Sequence, residues 1–281
     1  MDSLPTLTEV VKTYQLGANK KLGQHFLLDM NVTDKIARLA KPLEDANVAE
    51  IGPGPGGLTR ALLMNKAKSV TAIEMDERFL PALADIGRAS GGNLNIIKGD
   101  ALKVDIAKEI PAPRKIIANL PYNVGTKMLI NWITQRPLFW DQLVLMFQLE
   151  VAQRVCASPG DSAYGRLAVL CQSVAECHIA FEIPARAFTP PPKVDSAVAV
   201  LIPLAEDKRY PDLKLLGQVT QAAFGQRRKM LRASLKGYAK QNGLVVSEWL
   251  GRAEIDPQAR PETLPVGAFQ RLADSTKTGV S

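Results

Sequence analysis

Val48-Ala49-Glu50-Ile51 runs straight into Gly52-Pro53-Gly54-Pro55-Gly56-Gly57, and Leu58 to Lys66 continues with a helical pattern. The first four residues read as a short strand and the glycines and prolines as its turn. Glycines let the backbone bend sharply and approach a ligand closely, while the helix that follows offers unpaired N–H groups. Gly52, Gly54 and Gly57 match the spacing of a dinucleotide-binding turn. Glu74, 22 residues past Gly52, suits a carboxylate that binds ribose hydroxyls. A methyl-donor site has the same geometry. The turn therefore announces an adenosine-containing ligand and leaves its chemistry open.

Outward from this turn, strand-like runs alternate with helical ones. Residues 69–74, 94–98, 115–119 and 143–148 read as further strands, and runs near 177–183 and 194–203 as a closing hairpin. Such alternation implies a parallel sheet covered on both faces with right-handed crossovers. Gly52 ends the first strand, so a ligand belongs at the carboxyl edge of the sheet. Gly99-Asp100 ends the third and brings a carboxylate to the same edge.

Beyond about Pro203 no strand-like run survives. Residues 211–224, 227–240 and 264–272 read as helices, so a small all-helical domain is expected from residue 206. The 281 residues suit two domains, and 46% hydrophobic with 22% charged residues excludes a disordered chain, a collagen-like fibre or a disulfide scaffold. The first residues carry no basic region followed by an apolar run, and no stretch approaches the length of a membrane span. Cys156, Cys171 and Cys177 are odd in number and spaced unlike any zinc motif. The expectation is a cytoplasmic protein with reduced thiols and no metal site.

The net charge is +7, and residues 206–281 hold 13 Lys+Arg against 8 Asp+Glu, which is +5 of it. Arg227, Arg228, Lys229, Arg232, Lys236 and Lys240 fall in an acid-free run, and positions four apart share one face of a helix. A face without acids forgoes helix-stabilising opposite-charge pairs. Contact with nucleic-acid phosphates explains it better than a merely solvated surface.

Asn119-Leu120-Pro121-Tyr122 ends the fourth strand at the ligand edge. An exocyclic amino group on a base is a poor nucleophile, because its lone pair is delocalised into the ring. The Asn119 side-chain oxygen can accept one of its N–H groups and a nearby backbone carbonyl the other. Both bonds favour a more tetrahedral nitrogen with its lone pair aimed at a methyl group. Pro121 sets the turn, Tyr122 offers a ring for stacking, and the base must leave its stack to arrive there.

With these motifs in order, the chain resembles the ribosomal RNA adenine N6-dimethyltransferase family, in particular its small-subunit (16S-type) members. The resemblance also takes in residues 21–27 (Lys-Leu-Gly-Gln-His-Phe-Leu), 148–154, 188–196 (Phe-Thr-Pro-Pro-Pro-Lys-Val-Asp-Ser) and 224–229, so it spans nearly the whole chain. It implies a Rossmann-like class I methyltransferase fold, α/β, with a seven-stranded, mostly parallel sheet and a smaller all-helical C-terminal domain. Residues 1–30 would close over the cofactor, 31–205 would form the S-adenosylmethionine-binding catalytic domain and 206–281 the RNA-binding domain. The cofactor residues would be His25, Leu27, Gly52, Gly54, Glu74, Asp100 and Asn119. Asn119, Leu120, Pro121, Tyr122 and Phe188 would carry catalysis, with Tyr122 and Phe188 sandwiching the target base. Arg227, Arg228, Lys229, Arg232 and Lys236 would hold RNA. The implied reaction is dimethylation of adenosine N6, on two adjacent adenosines in a 3'-terminal hairpin loop of small-subunit ribosomal RNA, coupled to late small-subunit assembly. The implied partner is that RNA or an immature 30S-type particle, with the protein a monomer and no membrane involved. The rivals are an assembly factor whose binding outweighs its catalysis, a large-subunit ribosomal RNA methylase and a DNA adenine methyltransferase. Leu120 departs from the Pro-Pro that usually follows Asp or Asn in the last of these.

Overall fold

The structure is a computed structural model describing residues 4–19, 23–121, 124–226 and 229–277. The chain falls into two compact units, with boundaries at 152/153, 177/178 and 202/203.

The first unit begins with α1 (Leu7–Thr13), β1 (Phe26–Leu27), α2 (Met30–Arg38), β2 (Asn47–Ile51), α3 (Gly57–Met64) and β3 (Ser69–Glu74). It continues with α4 (Leu80–Ala89), β4 (Leu94–Lys98), α5 (Ile106–Glu109), β5 (Arg114–Asn119), α6 (Gly125–Thr134) and β6 (Gln142–Gln148). α7 (Leu149–Cys156) and α8 (Arg166–Gln172) precede β7 (Ala175–Ile183), β8 (Phe188–Thr189) and β9 (Ser196–Pro203). The seven-stranded sheet runs β4-β3-β2-β5-β6-β9-β7. The pairings from β4 to β6 are parallel and β9 is antiparallel to β6. All five residues of β2 are buried, as expected for a central parallel strand covered on both faces. Val48, Val70, Ile117 and Val144 pack with Ile36, Ala37 and Leu62 of α2 and α3 in one apolar core, while Val10 and Leu16 join Phe26, Phe79, Leu83 and Ile86 in a second.

The five strands expected between residues 47 and 148 occur within a residue of their expected bounds. Two features were not anticipated. Thr6 and Glu9 close a capping box that starts α1. Residues 26 and 27 form β1 by pairing antiparallel with Thr189 and Phe188 of β8.

The second unit joins 153–177, counted with the catalytic domain by the sequence reading, to the helices α9 (Leu213–Phe224), α10 (Leu231–Ser234), α11 (Lys236–Gln241), α12 (Val246–Arg252) and α13 (Val266–Asp274). The reason is packing: α8 lies against α9 and α13. Tyr164 meets Phe224 edge-on at 6.0 Å, and Phe224 meets Phe269 at 5.3 Å. The Tyr164 hydroxyl donates to the Leu264 carbonyl at 2.9 Å. The helix expected over 227–240 is not continuous. Helix begins at Leu231, whose N–H donates to the Ala259 carbonyl while that of Arg232 donates to Pro257. α10 then gives way to α11 at Leu235, so the four-residue spacing of basic residues does not follow one helix.

Candidate active site

The first unit contains a cavity of about 280 Å³ at the carboxyl edge of its parallel strands. The carboxyl ends of β2, β3 and β5, the segments following β2, β4 and β5, and residues 23–27 line it. His25, Leu27, Gly52, Gly54, Glu74, Asp100, Asn119, Leu120 and Pro121 therefore converge on one space.

The turn after β2 is built by backbone geometry. Gly54 and Gly56 have φ of +54° and +87°, which side chains disfavour, and a Cβ on Gly56 would sit 2.2 Å from Ile86 Cδ1. So bent, the Gly54 N–H donates to Glu74 Oε2 at 3.1 Å, and the Asp76 N–H donates to Oε1 at 2.8 Å. Burial raises the Glu74 carboxyl above its ordinary value, and these bonds offset part of the effect. Each oxygen retains capacity for a second donor. Asp76 is itself held down at about 2, chiefly by the Arg78 guanidinium. At the next strand end, Asp100 Oδ1 accepts the Leu102 N–H at 2.9 Å.

Asn119 Nδ2 donates to the His25 carbonyl at 3.3 Å. Leu120 is buried, and the Pro121 carbonyl accepts the N–H groups of Val124 and Gly125 as α6 begins. The α6 start packs closely: a Cβ on Gly125 would meet Leu120 Cβ at 3.2 Å.

Not every expected residue joins the cavity. Phe188 is 2% exposed, packs in the core with Leu27 and Ile36, and is absent from the lining. The pairing of β8 with β1 draws it inward, so it presents no ring face to a base in this conformation. Tyr122, Arg227 and Arg228 lie outside the described residues, as do Lys21 and Leu22. Lys229, Arg232 and Lys236 are exposed on the second unit.

Two of the lining residues that the sequence reading did not name stand out. Glu50 is buried in β2 with Oε2 unpartnered. Burial pushes its carboxyl up to about 8, Thr59 offsets part of this, and the charge of Glu74 adds to it. Its signal was visible: an acid inside an otherwise apolar strand is rarely buried without purpose. Met75, next to Glu74, is 55% exposed at the cavity wall, and nothing in its spacing marked it.

Among the described lining residues stand four carboxylates (Glu50, Glu74, Asp76 and Asp100) and no Lys or Arg. A cationic centre on a ligand would meet the ionised members of this set. A lining rich in carboxyl groups suits a donor with a cationic sulfonium centre. Among the described residues no group of His, Cys, Asp and Glu is placed to hold a metal ion, and no helix is long and apolar enough to cross a membrane.

The sheet order, the reversed β9 and the strand-edge cavity define a class I methyltransferase. The model of the ribosomal RNA adenine dimethylase family matches residues 15–277, and the chain belongs to that family. A ribosomal RNA small subunit methyltransferase A from Maricaulis maris is 52% identical over 275 residues, covering 97% of this chain and 95% of that protein. Among solved structures, a dimethyladenosine transferase from Plasmodium falciparum superposes with a TM-score of 0.78 at 29% identity, covering 91% of this chain and 99% of that one. The 23S rRNA methyltransferase ErmE superposes with a TM-score of 0.69 at 26% identity, covering 90% and 99%. Family membership makes the chain an rRNA adenine dimethyltransferase.

Proposed function

We propose that this enzyme dimethylates the N6 amino groups of two adjacent adenosines in a 3'-terminal hairpin loop of small-subunit ribosomal RNA, during late assembly of that subunit. It acts as a cytoplasmic monomer on immature 30S-type particles. The observation that supports the choice of donor is the cavity wall of four carboxyl groups without Lys or Arg among the described residues. S-adenosylmethionine, when bound there, supplies an electrophilic methyl group on a sulfonium centre.

The chain's own residues bind, orient and accept. Gly52 and Gly54 let the backbone come close, Glu74 holds ribose hydroxyls, Asp100 accepts from the adenine amino group, and residues 23–27 cover the site. Asn119 Oδ1 accepts one N–H of the target amino group. The Pro121 carbonyl is committed to α6, so we assign the second acceptor to the Leu120 carbonyl. The two bonds localise the nitrogen lone pair, and the surplus proton leaves to water without a dedicated base. Rate enhancement comes from placement and from acceptors already aimed at the amino group. Tyr122 stacks on the base. Phe188 completes a sandwich only if its ring leaves the core, so its standing role is to anchor the segment that carries it. Lys229, Arg232 and Lys236, with Arg227 and Arg228, neutralise RNA phosphates.

The test is incubation with labelled S-adenosylmethionine and precursor small subunits, followed by mass spectrometry of the modified nucleosides. N6,N6-dimethyladenosine in small-subunit RNA is the expected result. Monomethyl product alone, or label in large-subunit RNA, would overturn the reading.

A further inference from the structure

His25 joins the cavity lining to a segment 165 residues further along the chain. Its Nδ1 is 2.8 Å from the Pro190 carbonyl oxygen. A carbonyl only accepts, so Nδ1 carries the hydrogen and donates. The next two residues form β1, paired with Phe188 and Thr189 immediately before that proline. Phe188 is sealed into the core, which roots the ribbon. On its other side, the His25 carbonyl accepts from Asn119 Nδ2. That bond fixes one end of the Asn119 amide and turns Oδ1 to the opposite side of Cγ.

We propose that His25 is a positioning residue for methyl transfer: its ring clips the β1·β8 ribbon to the proline loop, and the ribbon in turn holds the carbonyl that orients Asn119. The inference rests on the reading of Asn119 as the acceptor for the target amino group. The expected cofactor contact of His25, through backbone or ring, does not involve the Nδ1 hydrogen, which is donated to Pro190. The clip also gives β1 and β8, too short to support themselves, a reason to persist.

Side-chain reach separates the two roles. Nδ1 of histidine and Nδ2 of asparagine are both three bonds from Cα, so His25→Asn keeps a donor where the Pro190 carbonyl needs one. His25→Gln carries its amide one bond further and imitates the far side of the ring instead.

The experiment compares the full chain with His25→Ala, His25→Asn and His25→Gln. It measures kcat and KM with labelled S-adenosylmethionine and precursor small-subunit particles, and cofactor affinity by equilibrium dialysis. Amide hydrogen exchange of peptides covering 25–28 and 187–190 is followed without ligand. In His25→Ala, kcat should fall about tenfold to a hundredfold, the scale of a displaced catalytic group. Cofactor affinity should stay within about twofold, and both peptides should exchange about tenfold faster, as loss of one hydrogen bond implies. His25→Asn should restore kcat and protection, and His25→Gln neither. Unchanged exchange in His25→Ala overturns the clip. So does a cofactor affinity weakened beyond about tenfold and restored by glutamine. A wild-type chain that transfers no label would refute the proposed function instead, and the exchange comparison would still decide the clip.

Discussion

Glu50→Gln should make the protein more stable relative to wild type as pH rises, by an amount the structure bounds. Glu50 lies in β2 between Ala72 of β3 and Ile117 of β5, 1% exposed. Burial pushes its carboxyl from 4.5 to about 8, Thr59 counteracting in part and Glu74 adding like charge. The folded state therefore keeps a proton that the unfolded state releases above about 4.5. Where the folded chain binds more protons, stability falls as pH rises. The span from 4.5 to about 8, at about 1.36 kcal/mol per pH unit, comes to on the order of 5 kcal/mol. Glutamine keeps the size of a neutral carboxyl and has no proton to lose. Urea denaturation of both proteins without ligand, between pH 5 and 9, should show the difference in unfolding free energy growing steadily to about pH 8 and flattening above it. The Glu74 carboxyl, also raised, is present in both proteins and largely cancels. A difference that stayed constant across this range would refute the buried, neutral Glu50.

The remaining predictions follow from single features. Asn119→Ala should leave cofactor affinity intact in equilibrium dialysis and lower methyl transfer by about 10²- to 10³-fold, the range for removing one preorganised hydrogen-bonding group; an unchanged turnover would sink its assignment. Gly56→Ala places a methyl against Ile86 at a left-handed backbone position and should cost about 1–3 kcal/mol in denaturant titration. Replacing Lys229, Arg232 and Lys236 together by alanine should reduce the slope of log RNA affinity against log salt by about two to three. Burial raises the Cys156 thiol to about 12 and the Cys171 and Cys177 thiols likewise upward, so a thiol reagent at neutral pH should label the native protein slowly and the urea-unfolded protein fast.

What could be read from the sequence was what local pattern controls. Strands 69–74 and 94–98 were legible to the residue because short β-prone runs between turns have few other uses, and the glycine turn because its backbone demands its composition. Failures came where distant backbone competes with local propensity. The run 227–240 looks helical by itself, yet Leu231 and Arg232 give their N–H groups to residues 259 and 257, and the helix starts late and breaks at Leu235. The cavity shows the same division. Glu74, Asp100 and Asn119 each sit at or just after the end of a parallel strand and Glu50 one residue before it, so topology delivers them to one edge. Their meeting follows from the order of elements, and so does the charge of the cavity they make. Phe188 and His25 obey no such rule. Both are placed by a two-residue ribbon that neither half would form alone, and it depends on contact between segments at 25–27 and 188–190 that are distant in the chain. The parts of this site that position the reacting atoms are thus the least local in origin, and substitution of the part-buried His25 should disturb turnover well before it disturbs the fold.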